Sequence, residues 1–129
     1  MELKITFGDG KKVNAHVNGH TIFTDQSVQD GGEGSAPAPY DLFLASLGTC
    51  AGIYVLGFLN SRKLPIKDVE ITQKHSFDPT TFKLTNVVME VKLPPEVPQK
   101  YHRAIARAAN MCAVKKTMFD PPAVDVTVN

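Results

Sequence analysis

The chain has 129 residues, the size of one ordinary domain, so we expect a single domain over residues 1–129. Hydrophobic residues make up 43% and charged residues 21% of the chain, a globular composition that excludes disorder and collagen-like repeats. The 14 Lys and Arg residues against 13 Asp and Glu residues give a net charge of +1, without the basic excess that binding to phosphates requires. Nucleic acid is therefore not an expected partner.

The first 24 residues alternate between apolar and polar side chains in the manner of β-strands. Asn18-Gly19 lies between two such runs, and this dipeptide favours the type I′ turn of a tight hairpin. The pattern predicts a three-stranded antiparallel meander. Residues 25–38 are rich in turn formers and predict a loop of 14 residues, whose Gly-rich part we interpret as a flexible connection.

A long helix is predicted from Pro39 to about Arg62, because proline suits the first helical position and Pro65 prevents continuation. Its 18 residues at positions 42–59 carry no charge and are apolar nearly all round, which is typical of a helix buried on most faces. A membrane span is the competing interpretation, since 18 uncharged residues reach the lower limit for crossing a bilayer. We reject it because glycine and hydroxyl residues dilute the apolar run and because the flanking strands need an apolar partner.

The second half of the chain predicts two more strands joined by a turn at residues 78–81, with a β-bulge near Thr85-Asn86. The remaining predicted elements are strands at 66–77 and 82–93, helices at 96–111 and about 112–118, and a last strand at 124–128. Strands at both ends around a long central helix, without regular βαβ alternation, predict an α+β fold.

The histidines do not predict a metal site. His16 and His20 have the spacing that binds zinc on a helix, but a turn at Asn18-Gly19 places them on opposite faces of a hairpin. His75 and His102 are isolated in the sequence. No metal ligand set is therefore expected.

The two cysteines, Cys50 and Cys112, are the candidate chemical groups. The opening residues MELKITF lack the features of a signal peptide, so we expect a reducing, cytoplasmic setting in which a structural disulfide is improbable. The thiols are then either inert buried side chains or parts of a redox site. Cys50 lies in the middle of the long helix, whereas Cys112 lies near the start of the third helix, where free N–H groups could stabilise a thiolate.

The segment APYDLFLASLGTC at residues 38–50 resembles the central-helix motif of the OsmC/Ohr family, in which Pro-x-x-Leu-(Leu/Phe) leads to a small-residue segment ending in cysteine. Residues 104–114 are similar to the family's second motif, with the other cysteine in a Cys-x-Val context. The order of predicted elements also agrees over essentially the whole chain. The resemblance implies an OsmC-like fold of antiparallel sheets around a long central helix, in an intertwined homodimer.

The resemblance further implies a thiol-dependent peroxidase for small organic hydroperoxides. In that family pattern Cys50 is oxidised to a sulfenic acid, Cys112 resolves it as a disulfide, and a dithiol such as dihydrolipoamide restores both thiols. No metal or prosthetic group is required. The alternative is a non-catalytic homodimer that binds a small apolar ligand or a partner, with both cysteines kept reduced.

The chain departs from the family pattern at the groups that activate the thiolate. The family carries Glu directly after the motif's proline and an Arg in the N-terminal strands, whereas this chain has Tyr40, then Asp41, and no Arg before Arg62. A residue near Tyr40 lies about 14 to 15 Å along the helix axis from Cys50, so a carboxylate there would reach a thiol only across subunits. The candidate replacements for the missing cation are Lys11, Lys12, His16, Arg103 and Arg107.

These departures indicate a divergent branch of the family. We take Tyr40, Asp41 and Lys12 as the candidate activating or substrate-binding residues beside Cys50 and Cys112.

Overall fold

A computed structural model describes all of residues 1–129. It divides into two compact units, Met1–Ala45 and Ser46–Asn129, and the longest helix begins in the first unit and continues into the second. Each unit is described by itself.

The first unit contains the predicted meander. Strands β1 (Lys4–Phe7), β2 (Val13–Val17) and β3 (His20–Thr24) form an antiparallel sheet in that order. Asn18 and Gly19 both have positive φ, at 49° and 78°, as a type I′ turn requires. The three strands and their turn are confirmed.

The loop after β3 is organised around one buried carboxylate. Asp25 is 1% exposed and accepts hydrogen bonds from the backbone N–H groups of Gln26 and Glu33 and from both the N–H and the hydroxyl of Ser35. Gly32 passes so close to this centre that a Cβ there would lie 2.1 Å from the Gln26 carbonyl oxygen. The interpretation of the Gly-rich part as a flexible connection is wrong, because an acidic side chain that the turn-forming composition did not single out ties the loop together.

Asp25 makes the stability of this loop depend on pH. Its hydrogen bonds with the Ser35 hydroxyl, the Gln26 N–H and the Ser35 and Glu33 N–H groups lower its pKa from 3.8 to about 2. A carboxylate with a lowered pKa stabilises the fold above pH 3.8, and that contribution is lost as the pH falls toward about 2. We expect Asp25→Asn to unfold at a lower temperature than the wild type at neutral pH, with the difference shrinking below pH 3.8. Thermal unfolding followed by circular dichroism measures this, and the exposed Asp9→Asn variant is the control.

Helix α1 (Pro39–Ser61) is the predicted long helix and begins at the predicted proline. Its buried side chains recur every four residues along one side, at Leu47, Ala51, Val55 and Leu59. On another side of the helix, Ile53 is 66% exposed in the single chain. One chain supplies cover for one side only, although the helix is apolar nearly all round.

The second unit contains a two-stranded antiparallel sheet of β4 (Glu70–Phe77) and β5 (Leu84–Lys92). The register shifts by one residue after Ser76, so that the predicted bulge at Thr85 is confirmed. Both strands are shorter than predicted. The turn between them is wider because the carboxylate at position 78 accepts from two backbone N–H groups of the turn and Phe82 adopts a positive φ of 59°.

Two short helices follow the sheet. A 3₁₀ turn (Gln99–Tyr101) leads into α2 (His102–Ala109), and α3 (Ala113–Phe119) begins directly after Cys112. The core of this unit joins α1, α2 and the segment between β5 and α2, through the buried side chains Val55, Leu59, Val97 and Ile105.

The predicted last strand at 124–128 is not formed. Residues 120–129 contain no helix or strand, and Val124, Val126 and Val128 are all more than 80% exposed. An alternating segment becomes a strand only when it pairs with an edge, and this one pairs with neither sheet of its own chain.

Candidate functional site

The structure brings the two cysteines together, although they are 62 positions apart in the sequence. Cys50 is half-buried in the middle of α1, and Cys112 is 2% exposed at the residue that caps the N-terminus of α3. The Cys112 thiol is one of the groups that lower the pKa of Cys50, and both cysteines are free thiols. This arrangement places two thiols within reach of one another without a covalent bond between them.

The Cys112 sulfur is held by groups on either side. It accepts a hydrogen bond from the Lys115 backbone N–H at 3.4 Å and lies 3.8 Å from the Leu47 carbonyl oxygen of α1. Its single S–H proton is directed at that carbonyl. A charged sulfur is the stronger acceptor, so ionisation of Cys50 draws this proton toward it.

Several donors converge on Cys50 and lower the pKa of its thiol. The largest contribution comes from the backbone N–H of Val114, followed by the S–H of Cys112, with the N–H of Ala113 adding to them. Partial burial acts in the opposite direction. Each of these donors stabilises the thiolate more than the thiol.

The sequence analysis assigned the free N–H groups of the third helix to Cys112, and the structure assigns two of them to Cys50. Ala113 and Val114 act through their backbones, so their side chains carried no signal of this role. The available signal was the helix start itself, which predicted N–H donors at this position without identifying the thiol that uses them.

The pH dependence of alkylation tests this geometry. We expect Cys50 to react with iodoacetamide with an apparent pKa below the ordinary value of 9.0, because the N–H groups of α3 stabilise the thiolate. Cys112→Ala removes one donor and is expected to raise that apparent pKa. Peptide mass spectrometry across a pH series reports each site separately. An apparent pKa of Cys50 close to 9.0 in the wild type would show that these donors do not stabilise its thiolate.

Lys12, a candidate activating cation, belongs to the first unit. Its ammonium donates to the Glu33 carboxylate at 2.8 Å, and this hydrogen bond, together with the charge of Glu33, raises the pKa of Lys12. The contact joins the residue directly before β2 to the loop that follows β3, within that unit. The role of Lys12 at the thiols stays a prediction.

Tyr40 and Asp41 also belong to the first unit, in the first turn of α1. The Tyr40 ring lies 5.5 Å from the Phe43 ring, and the Asp41 carboxylate accepts from the Ala38 backbone N–H at 3.1 Å. The second contact satisfies a donor at the start of the helix, which is half of a capping box. Asp41 therefore has a structural role here, and the activating role predicted for both residues is untested.

The histidines of the meander lie as predicted. His16 pairs with Thr21 and His20 with Val17 across the hairpin. The two ring nitrogens of His16 lie 2.8 Å and 3.2 Å from the hydroxyls of Thr6 and Thr21, so the ring bridges three strands.

A cavity of about 450 Å³ lies in the second unit, bounded by α1, β5, α2 and α3. Cys112 forms part of its wall, and most of the remaining wall is apolar. The sequence analysis did not predict this cavity, because its walls come from four separate elements that meet only in the folded chain.

A profile of OsmC-like proteins matches residues 32–127 of this chain, which is about three quarters of its length and includes both cysteines. The chain belongs to the OsmC-like family. The resemblance that the two cysteine motifs predicted is confirmed. No protein of curated function matches the sequence.

Solved OsmC-like structures share the fold. A Psychrobacter arcticus protein, whose name refers to osmotic stress induction and the detoxification response, is 21% identical with a TM-score of 0.76, over 89% of this chain and 85% of its own. An OsmC-like protein of Mycoplasma pneumoniae is 12% identical with a TM-score of 0.72, over 93% and 87%. A Legionella pneumophila protein named for organic hydroperoxide resistance is 21% identical with a TM-score of 0.57, over 91% and 87%.

Family membership also bears on α1. By length and composition alone this helix could cross a membrane, as the core helix of a soluble protein can. OsmC-like proteins are soluble, so α1 is a core helix and no membrane is indicated. The rejection of a membrane span agrees with family membership.

Proposed function

We propose that this protein is a thiol-dependent peroxidase that reduces organic hydroperoxides in the cytoplasm, as part of the defence against oxidative stress. The observation that carries the proposal is Cys50, a thiol whose pKa is lowered in part by a second free thiol beside it, Cys112. A reactive thiolate beside a resolving thiol is the arrangement that two-step peroxide reduction needs.

In the first step the Cys50 thiolate attacks one peroxide oxygen. An S–O bond forms, the O–O bond breaks, and the alkoxide leaves with a proton from solvent as an alcohol. Cys50 is then a sulfenic acid. The N–H groups of Ala113 and Val114 stabilise the thiolate before the attack, so they supply part of what a side-chain cation would otherwise provide.

In the second step the Cys112 sulfur attacks the Cys50 sulfur. An S–S bond forms, and the sulfenic oxygen leaves as water with the thiol's proton. Cys112 is well placed for this step, because its thiol is near enough to Cys50 to lower the pKa of the Cys50 thiol. A dithiol of the dihydrolipoamide type then reduces the disulfide by two exchange steps and leaves as its own cyclic disulfide.

We also propose that the working form is a homodimer. The side of α1 that carries Ile53 is uncovered, and the alternating segment 124–128 has no strand to pair with in its own chain. A second copy of this chain would supply apolar cover and strand edges. Sedimentation that found only monomers at micromolar concentration would contradict this.

The proposed activity is tested by following the consumption of cumene hydroperoxide and hydrogen peroxide in the presence of dihydrolipoamide. Faster turnover of cumene hydroperoxide is expected, because the surroundings of Cys112 are mostly apolar. Equal or faster turnover of hydrogen peroxide would contradict selection for organic peroxides.

One observation favours a second candidate function, the binding of a small ligand without catalysis. The cavity beside Cys112 is large enough for a small molecule and has few polar groups. A protein that binds a ligand there and fails to consume any organic hydroperoxide would have this function instead.

A further inference from the structure

The cavity of about 450 Å³ in the second unit falls within the range of roughly 300 to 1,000 Å³ that is usual for small-molecule sites. One side is formed by the inward-facing residues of β5, and another by the end of α3. The large apolar side chains of its wall are Leu84, Val87, Met89, Val91, Met118 and Phe119. Such a wall favours an apolar chain or ring over a polar ligand.

Lys115 is the one charged side chain in the wall, and no carboxylate lines the cavity. The lysine is half-buried on α3, while its neighbour Lys116 is exposed. The two ion pairs of the structure involve Lys12 and Lys74, so the charge of Lys115 is not neutralised by an acidic residue.

The Lys115 ammonium has a single hydrogen-bond acceptor, the Asn110 side-chain oxygen at 2.5 Å. The amide nitrogen of Asn110 is already used, since it donates to the Ala106 carbonyl oxygen at 3.1 Å. An ammonium group has three donors, so two remain for a ligand. The wall therefore offers one half-buried positive charge with free donors beside an apolar volume.

We propose that this cavity binds a small amphipathic carboxylate, with the apolar chain against β5 and α3 and the carboxylate at the Lys115 ammonium. A neutral apolar ligand would leave the lysine charge unpaired, whereas a carboxylate forms a charge-assisted hydrogen bond with it. A multiply charged anion does not fit, because the wall supplies one cation. The site takes its ligand whether or not the cysteines turn over peroxide.

Calorimetric titration of the reduced full-length protein with octanoate and with octan-1-ol tests the proposal, since the two probes share a chain and differ in charge. Octanoate is expected to bind roughly tenfold or more tightly, which corresponds to the strength of a charge-assisted hydrogen bond. Lys115→Met should reduce octanoate affinity to that of the alcohol and leave the alcohol unchanged. Lys115→Arg should retain the preference, and Lys116→Met, with the same loss of charge one residue away, should behave as the wild type.

A variant that fills the cavity keeps the test independent of the lysine. Val87→Phe places a larger ring on the half-buried face of β5 and should weaken both probes. Equal affinity for the two probes, or an equal loss in Lys115→Met and Lys116→Met, would overturn the proposal. Failure of both probes to bind would overturn it too. That result is expected if a second copy of the chain fills the cavity. Because no peroxide is present, none of these outcomes depends on peroxidase activity.

Discussion

Replacement of Cys50 by serine is expected to reduce the consumption of organic hydroperoxide by more than about a hundredfold, because it removes the nucleophile. A serine hydroxyl stays protonated at neutral pH even beside the N–H groups of Ala113 and Val114, whereas the Cys50 thiol has its pKa lowered by them. Steady-state assays with cumene hydroperoxide and a dithiol reductant measure the effect. Turnover within a few-fold of the wild type would remove Cys50 from the reaction.

Cys112→Ser provides the matched control, because it preserves the nucleophile and removes the resolving sulfur. This variant should consume about one equivalent of peroxide in the first turnover and then accumulate the Cys50 sulfenic acid, which dimedone labels. The serine hydroxyl can still donate a hydrogen bond toward Cys50, so the first step should survive. Equal loss of the first turnover in both variants would contradict the division of roles between the two cysteines.

Truncation of Leu59 to alanine is expected to lower the free energy of unfolding by about 3 kcal/mol, the usual cost of deleting a large buried side chain. Leu59 is 0% exposed and packs with Val55, Val97 and Ile105 at the centre of the second unit.

Urea unfolding of the Leu59→Ala protein measures this cost, and Asn60→Ala is the control, since the adjacent side chain is exposed. The control should unfold within about 0.5 kcal/mol of the wild type. Similar midpoints for Leu59→Ala and Asn60→Ala would show that the leucine is not part of a packed core.

Local sequence signals predicted most of the elements. Asn18-Gly19 determines its hairpin through backbone preferences alone, and Pro39 marks the start of α1 for the same reason. Signals of this kind need no information about the rest of the chain. The segment 124–128 has an equally clear alternating pattern, yet forms no strand, because a strand depends on a partner edge that its own sequence does not specify.

The two thiols of the candidate site could be predicted from the sequence, but the groups that surround them could not. Cys50 and Cys112 were identified through the motifs around them, and the structure places them side by side. The donors to Cys50 are backbone N–H groups, which every residue has, so no residue type could reveal them. The unpaired charge of Lys115 depends on which acidic residues lie near it in space, and the sequence indicated only a solvated Lys-Lys pair.

The central claim is that Cys50 and Cys112 form a working redox pair, and the mass of the reduced protein before and after one equivalent of cumene hydroperoxide tests it most directly. We expect each chain to lose two hydrogens and a digest to contain one peptide pair linked through Cys50 and Cys112. An unchanged mass, or a gain of oxygen without a link between these two residues, would contradict the claim.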